Sequence, residues 1–343
     1  MKWNKKKDVL FLAVGHGTQL NGIWDSGTTY GGYTEADLML PIVQAAVKLL
    51  RKSGIRVLTD ADKKNNKNMT ATVEESNKKG CKLYASVHCD YAPAKGIMFY
   101  YGSADGKKFG DTIAKYCSKI MGIKNKGGKK DLEKYEVRGP KCPSIIFETG
   151  GIKNDLAKLK QSKKYGRAIA KAICKYLGVE VYVTTRTKLK RKVAETLAYM
   201  NAHHFKYCMQ YKKCGTSWAK AKKTKLSNCA TAMCYAMQQM GLLKPGQIFW
   251  ISGTRIKCVG KGTAARLKSE FTIKHPKKTV KALKPKSGTI VGYSPYHTQM
   301  FVKFAKDKTP RFYSWGSNDA GKKQPRRKKG YDKKKIMTTM VAK

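Results

Sequence analysis

The chain has 343 residues, a length that suits about two domains, and its 72 Lys and Arg against 22 Asp and Glu give a formal net charge of +50. Hydrophobic residues make up 41%, enough for ordinary cores, which excludes whole-chain disorder, and no run of about 18 apolar residues exists to form a transmembrane helix. A charge of this size repels itself and calls for screening by salt or by a polyanionic partner.

In chain order, residues 9–14 read as a buried strand. That apolar stretch is too short for the core of a secretory signal, and Gly15-His16-Gly17 interrupts it, so no export signal is expected. Residues 38–50 carry Leu40, Val43, Val47 and Leu50 at helical spacing, and a strand follows over 55–58. A helix over 69–78, strands over 83–88 and 97–101, a helix over 109–120, a strand over 144–147 and a helix over 156–177 complete the first segment. Strands alternating with helices predict an α/β domain, a twisted sheet flanked by helices, over residues 1–178. Residues 179–190 read as a linker. The second segment, 191–343, opens with a helix over about 190–204 and has another from Cys229 to Met240. Strand-like runs follow at 247–251, 288–293, 297–304 and 311–315, which predicts an α+β domain. Residues 322–335 form a run dominated by charge, with ten charged residues of fourteen, and read as part of a basic C-terminal tail.

The ten cysteines show no C-x-x-C pair, so reduced thiols acting as small buried hydrophobes are the expectation, with Cys229 the exception. Met233, Met237 and Met240 form a stripe that reads as core.

Four side chains of the first segment fall at or near predicted strand ends: His16, Glu35 in the loop after it, His88 and Glu148. In α/β sheets, ligands bind outside the carboxyl ends of the strands. Two imidazoles and a carboxylate make a three-ligand zinc site with a position left for water, and a further carboxylate can move the proton. Taken singly, each residue reads as readily as a core histidine or a solvated carboxylate, and the glycines beside His16 as a turn.

The segments VLFLAVGHG (9–17), GYTEADLML (32–40), LYASVHCDYA (83–92), GIMFYYG (96–102) and CPSIIFETGGIKND (142–155) go further. With them, residues 9–178 resemble the zinc-dependent N-acetylmuramoyl-L-alanine amidases. The resemblance implies that His16, Glu35 and His88 bind Zn2+ and that Glu148 is the catalytic acid/base. The substrate implied is peptidoglycan, cut at the amide between muramic acid and the first L-alanine of the stem. Two departures are visible: Ala13-Val14 stand where Asp-Pro is common, and Asp90 stands where Asn is usual after the third ligand.

In the second segment Cys229 opens a helix, where the positive end of the helix dipole favours thiolate. His297, which opens a strand-like run, is the best-placed base, ahead of His203, His204 and His275. The segments LSNCATAMCYAMQQMGLL (226–243), KPGQIFW (244–250), KPKSGTIVGYSPYHTQMFV (284–302) and RFYSWG (311–316) resemble the papain-like cell-wall peptidases of the NlpC type. The resemblance implies a Cys229 nucleophile and a His297 base. The orienting third residue falls nearest Ser314, with Asn318 and Asp319 close by. Trp250, Tyr293, Tyr296 and Trp315 read either as groove or as core.

Both segments thus point to one polymer. The expectation is a bifunctional peptidoglycan hydrolase of the bacteriophage endolysin type, made in the host cytoplasm and reaching the cell wall after the membrane is permeabilised. The basic surface would hold anionic wall polymers. Two other readings stand beside it: an amidase whose second domain only binds the wall, and a basic nucleic-acid-binding protein. The charge alone supports the last, yet Lys far outnumbers Arg and no binding motif appears, so no specific nucleic-acid partner is expected.

Overall fold

The computed structural model describes residues 3–63, 66–91, 96–293, 297–328, 331 and 334–343. They form two compact units, 1–182 and 183–343. Among them no helix is long and apolar enough to cross a membrane.

The first unit is built on a six-stranded mixed sheet. Its strands are β1 (Val9–Val14), β2 (Arg56–Leu58), β3 (Leu83–Asp90), β4 (Ile97–Tyr101), β5 (Asn125–Lys130) and β6 (Ser144–Gly151), in the spatial order β2-β1-β3-β6-β4-β5. The first four of that order run parallel; β4 lies antiparallel to β6, and β5 follows β4. Both faces are covered, which is why β1 is apolar at every position instead of alternating. Leu10, Leu12 and Val14 pack into the large core with helices α1 (Glu35–Lys52), α3 (Ala104–Met121) and α6 (Ser162–Tyr176). Val9, Phe11 and Ala13 face the other way, against Val73 of α2 (Met69–Lys78) and Tyr84.

The helix expected over 156–177 is two: α5 (Ile152–Leu159) and α6, separated at Lys160-Gln161, where Gln161 leaves helical geometry at ψ 48°. A short α4 (Tyr135–Arg138) precedes β6. Strand β5 was not expected, because its sequence NKGGKK has no apolar residue and lies on the exposed sheet edge.

The second unit opens with α7 (Thr185–Ala202), which takes in the second half of the stretch expected to be a linker; Thr184 caps it through a hydrogen bond from the Thr187 amide. Helix α8 (Cys229–Gln239) carries a capping box between Asn228 and Thr231. The remainder is mainly β. A hairpin, β7 (Ile248–Ser252) and β8 (Arg255–Val259), precedes a seven-stranded antiparallel sheet. That sheet holds β9 (Phe271–Lys274), β10 (Lys278–Thr279), β11 (Ile290–Tyr293), β12 (His297–Phe304), β13 (Pro310–Tyr313), β14 (Arg326–Arg327) and β15 (Lys335–Ala342), in the order β9-β15-β11-β12-β13-β14 with β10 also on β15. The described residues of the charged stretch are therefore not a tail, and residues 329, 330, 332 and 333 lie outside the described residues. Arg326 and Arg327 pair with β13, and β15 is an inner strand with Ile336 and Met340 fully buried.

Candidate metal centre and a second candidate site

The carboxyl ends of β1, β3 and β6 meet at one edge of the first sheet. Their parallel register sets His88 of β3 directly beside Glu148 of β6. His16 follows the end of β1. Glu35 is the first residue of α1, whose N-cap is Thr34. Two glycines make room: a Cβ on Gly15 would fall 2.1 Å from the His88 ring, and one on Gly27, at φ +65°, 2.6 Å from the His16 ring and 2.7 Å from the Glu35 carboxylate.

His16, Glu35 and His88 each offer one donor atom, and these lie within 4.8 Å of one another, the only such group of three among the described residues. Glu35 Oε2 is 3.4 Å from His16 Nε2, and its Oε1 is 3.0 Å from His88 Nδ1. Burial pushes the Glu35 carboxyl up, but the hydrogen bond to His88, the charges of both rings and the Cys89 N–H outweigh it and hold the group below its usual range.

Each imidazole has a carboxylate on its other nitrogen. Asp25 Oδ2 is 2.9 Å from His16 Nδ1, and Glu136 Oε2 is 2.9 Å from His88 Nε2. Glu136 is 2% exposed and is itself held by the Tyr84 hydroxyl at 2.8 Å, which in turn meets Thr72. Sequence reasoning missed both carboxylates. Burial opposes charge on His88, but Glu136 and Glu35 together hold its ring protonated far above the ordinary range.

Glu148 stands apart from this chain of hydrogen bonds. Its Oε2 is shut off from solvent and has no partner in the structure. Burial pushes its carboxyl up to about 8; His88 opposes this, and the nearby Glu35, Asp90 and Glu136 add to it. Asp90, the departure from the usual Asn, accepts from the Tyr91 amide. Its effect on the site is thus a negative field at Glu148.

The donors fit a borderline cation. Two nitrogens and an oxygen converge, both rings are fixed from behind by carboxylates, and a half-buried carboxyl with one unpartnered oxygen lies alongside. The arrangement defines a candidate centre for metal-assisted hydrolysis. The comparisons with known proteins give the family. Residues 10–177 match Amidase_3, N-acetylmuramoyl-L-alanine amidase, and this part of the chain is an amidase domain of that family. Similar solved structures include the N-acetylmuramoyl-L-alanine amidase AmiC2 of Nostoc punctiforme, 26% identical with a TM-score of 0.46 over 50% of this chain and 98% of that one. The N-acetylmuramyl-L-alanine amidase Ami1 of Mycobacterium smegmatis is 19% identical, with a TM-score of 0.45 over 50% of this chain and 97% of that one. No curated protein matches the chain.

In the second unit Cys229 is the first residue of α8 and is buried. Burial pushes its thiol up, against hydrogen bonds from the backbone N–H groups of Thr298 and Ala230. Cys229 therefore sits beside the residue that follows His297. His297 opens β12, and its Nε2 lies 3.4 Å from Ser314 Oγ. Ser314 in turn donates to Asp319 at 2.7 Å. Lys328 grips both oxygens of Asp319 at 2.6 Å, with Arg326 at 3.3 Å. Both Ser314 and Asp319, left open from the sequence, thus belong to one chain of contacts behind His297. Burial and the cations of Lys328 and Lys334 lower His297 to about 4. Of the aromatic residues, Tyr293 and Trp315 are core, Trp250 stacks on Tyr211 at 5.1 Å, and Tyr296 lies outside the described residues. His203 stacks on Tyr199, and His275 meets Thr338, away from this chain of contacts.

Proposed function

We propose that the amidase domain works as a zinc hydrolase, with the metal held by His16, Glu35 and His88, and that Glu148 is its acid/base. The observation that carries this is the three-donor cluster beside a half-buried carboxyl whose one shielded oxygen has no partner. Zinc, when bound, supplies Lewis acidity at the scissile carbonyl and acidifies water. Asp25 and Glu136 hold the two rings with their donor nitrogens turned inward. Glu148 Oε2 accepts the proton of the attacking water and delivers it to the nitrogen of L-alanine as the carbon–nitrogen bond breaks. The products are a free muramic lactyl carboxylate and a peptide with a new amino terminus. The test is Glu148→Gln. It is expected to cut release of stem peptides from purified walls by ~10²–10⁴-fold while zinc stoichiometry stays at the wild-type level. Unchanged release would end the assignment.

We read the second unit as a papain-like cysteine peptidase acting on a stem or cross-bridge peptide bond. The Cys229 position at a helix start and the His297–Ser314–Asp319 contacts support this reading. Nε2–H of His297 donates to Ser314, which leaves Nδ1 to take the thiol proton. Mass spectrometry of muropeptides released by Cys229→Ala decides it: one class of cleavage product should vanish while the amide product persists. Identical products from wild type and variant would leave a wall-binding role for this unit. Two activities on one polymer suit an endolysin that accumulates in the host bacterial cytoplasm and reaches the wall once the membrane is opened. The basic surface is read as holding anionic wall polymers.

A further inference from the structure

Strand β4 has two unlike faces. Ile97 and Phe99 are fully buried, in the core that includes Phe109 and Ile113 of α3. Met98 and Tyr100 point to the other face, as alternate residues of a strand do, and both keep part of their surface in solvent. The register ties that second face to the metal centre. Met98 stands opposite Glu148, and Tyr100 opposite Ile146. Directly paired residues share a face of the sheet, so Glu148, Met98 and Tyr100 look out from the same side. Tyr100 feels the site: burial, and then the charges of Glu148 and Asp90, raise its hydroxyl above the usual range.

A lysine closes this shelf. After β5 the chain turns back over the end of β4, with the Asp131 amide on the Tyr101 carbonyl at 3.1 Å, and reaches Lys134, the N-cap residue of α4. The Lys134 ammonium lies 4.7 Å from the centre of the Tyr100 ring. The residue is half-buried, and among the described residues no carboxylate forms an ion pair with it. The ring offsets part of the hydration the ammonium loses, and the positive charge is left for an anion. The centre itself repels anions, because Glu35, Asp90 and Glu136 lie close around Glu148. Lys134 is the cation that a carboxylate on the substrate would meet there. Two residues of strand separate the level of Glu148 from that of Tyr100, which at ~3.4 Å per residue is about 7 Å. An extended peptide running along the shelf from the scissile amide covers the same distance in two residues. L-Alanine takes the first position and its neighbour in the stem the second.

We propose that the sheet face beside Glu148, floored by Met98 and Tyr100 and closed by Lys134, is the subsite for the residue that follows L-alanine, and that the Lys134 ammonium selects a free carboxylate on it. The inference rests on the amidase reading of Glu148 and adds a specificity to it.

The experiment uses the full chain and two synthetic N-acetylmuramoyl tripeptides of L-alanine, γ-linked D-glutamate and L-lysine. They differ only at the glutamate α-carbon, which bears a carboxylate in one and a carboxamide in the other. Wild type should favour the acid about tenfold in kcat/KM, the scale of one hydrogen bond to a charged group. K134Q should bring the two within about twofold by raising KM for the acid, with kcat and the amide's constants unchanged. K134R should keep the preference. K119Q, which removes the same charge from α3 on the opposite side of the sheet, should keep it too. A wild type without the preference, a K134Q variant that retains it, or an equal loss in K119Q would each overturn the proposal. Cleavage of neither peptide by wild type would count against the Glu148 reading instead. Titration calorimetry on Glu148→Gln then decides the subsite. Binding of the acid about tenfold more tightly than the amide, lost in E148Q/K134Q, upholds it. Equal binding of the two peptides overturns it.

Discussion

Glu136 and Asp25 show what the first site demands beyond its donors. An imidazole that binds a metal through one nitrogen must be held by the other, and here each ring meets a carboxylate at 2.9 Å. Glu136→Gln and Asp25→Asn are each expected to weaken zinc binding ~10–100-fold, read by competition with a chromogenic chelator, with the far-ultraviolet spectrum unchanged. That His16, Glu35 and His88 converge beside Glu148 was legible because their motifs agree with the placement of His16, His88 and Glu148 at or just past strand ends and of Glu35 in the segment between. The two supporting carboxylates were not. In a lysine-rich chain an acid between Tyr135 and Val137 reads as solvated, and only the fold brings Glu136 under β3. The second site makes a different statement. Because burial and two lysines depress His297 to about 4, while burial raises the Cys229 thiol, the pair is neutral around pH 7. Peptide cleavage by the second unit should therefore keep rising on the alkaline side of neutrality, with its acid limb near pH 4. The linked stability follows the same sign. A histidine whose folded value lies below its unfolded 6.5 stabilises fully above 6.5, and that stability is lost as the pH falls through 6.5 towards 4. Urea unfolding at stepped pH measures it.

Elements were legible where burial imposes a period. Strands β1 and β3 announce themselves as apolar runs because helices cover both faces. Strand β5 lies on an open edge, where nothing selects apolar residues and its lysines discourage pairing with other chains. The gap between α5 and α6 has no proline or glycine to mark it, so periodicity alone ran through it. Strand β15 was hidden by its neighbourhood. Its own residues alternate, with Ile336, Thr338, Met340 and Ala342 buried, but it follows thirteen residues, 322–334, of charge and turn chemistry. Its inner position makes it structural. Met340→Ala should destabilise the second unit by ~2–4 kcal/mol, seen as a lower urea midpoint for that unit with the first unit's midpoint unmoved.

At the scale of the whole molecule, each unit has its own core, of which the first is organised around Leu10, Ile42 and Ile169 and the second around Leu197, Met233 and Met300. Metal linkage should therefore touch only one. A ligand that binds the folded form alone raises its stability, by about 2.7 kcal/mol at a hundred times Kd. Chelation is expected to lower one calorimetric transition and leave the other in place; a shift of both would show that the units unfold together. The inner position of β15 also sets an order of events during synthesis. The first unit has all its strands by Gly151 and its last helix by Tyr176, so it can fold while the ribosome is still making the remainder. The second unit cannot join β9 to β11 until residues 335–342 have emerged, because β15 lies between them. A nascent chain thus holds a finished amidase domain well before it holds a closed second sheet, and translation halted anywhere in between yields the first unit alone.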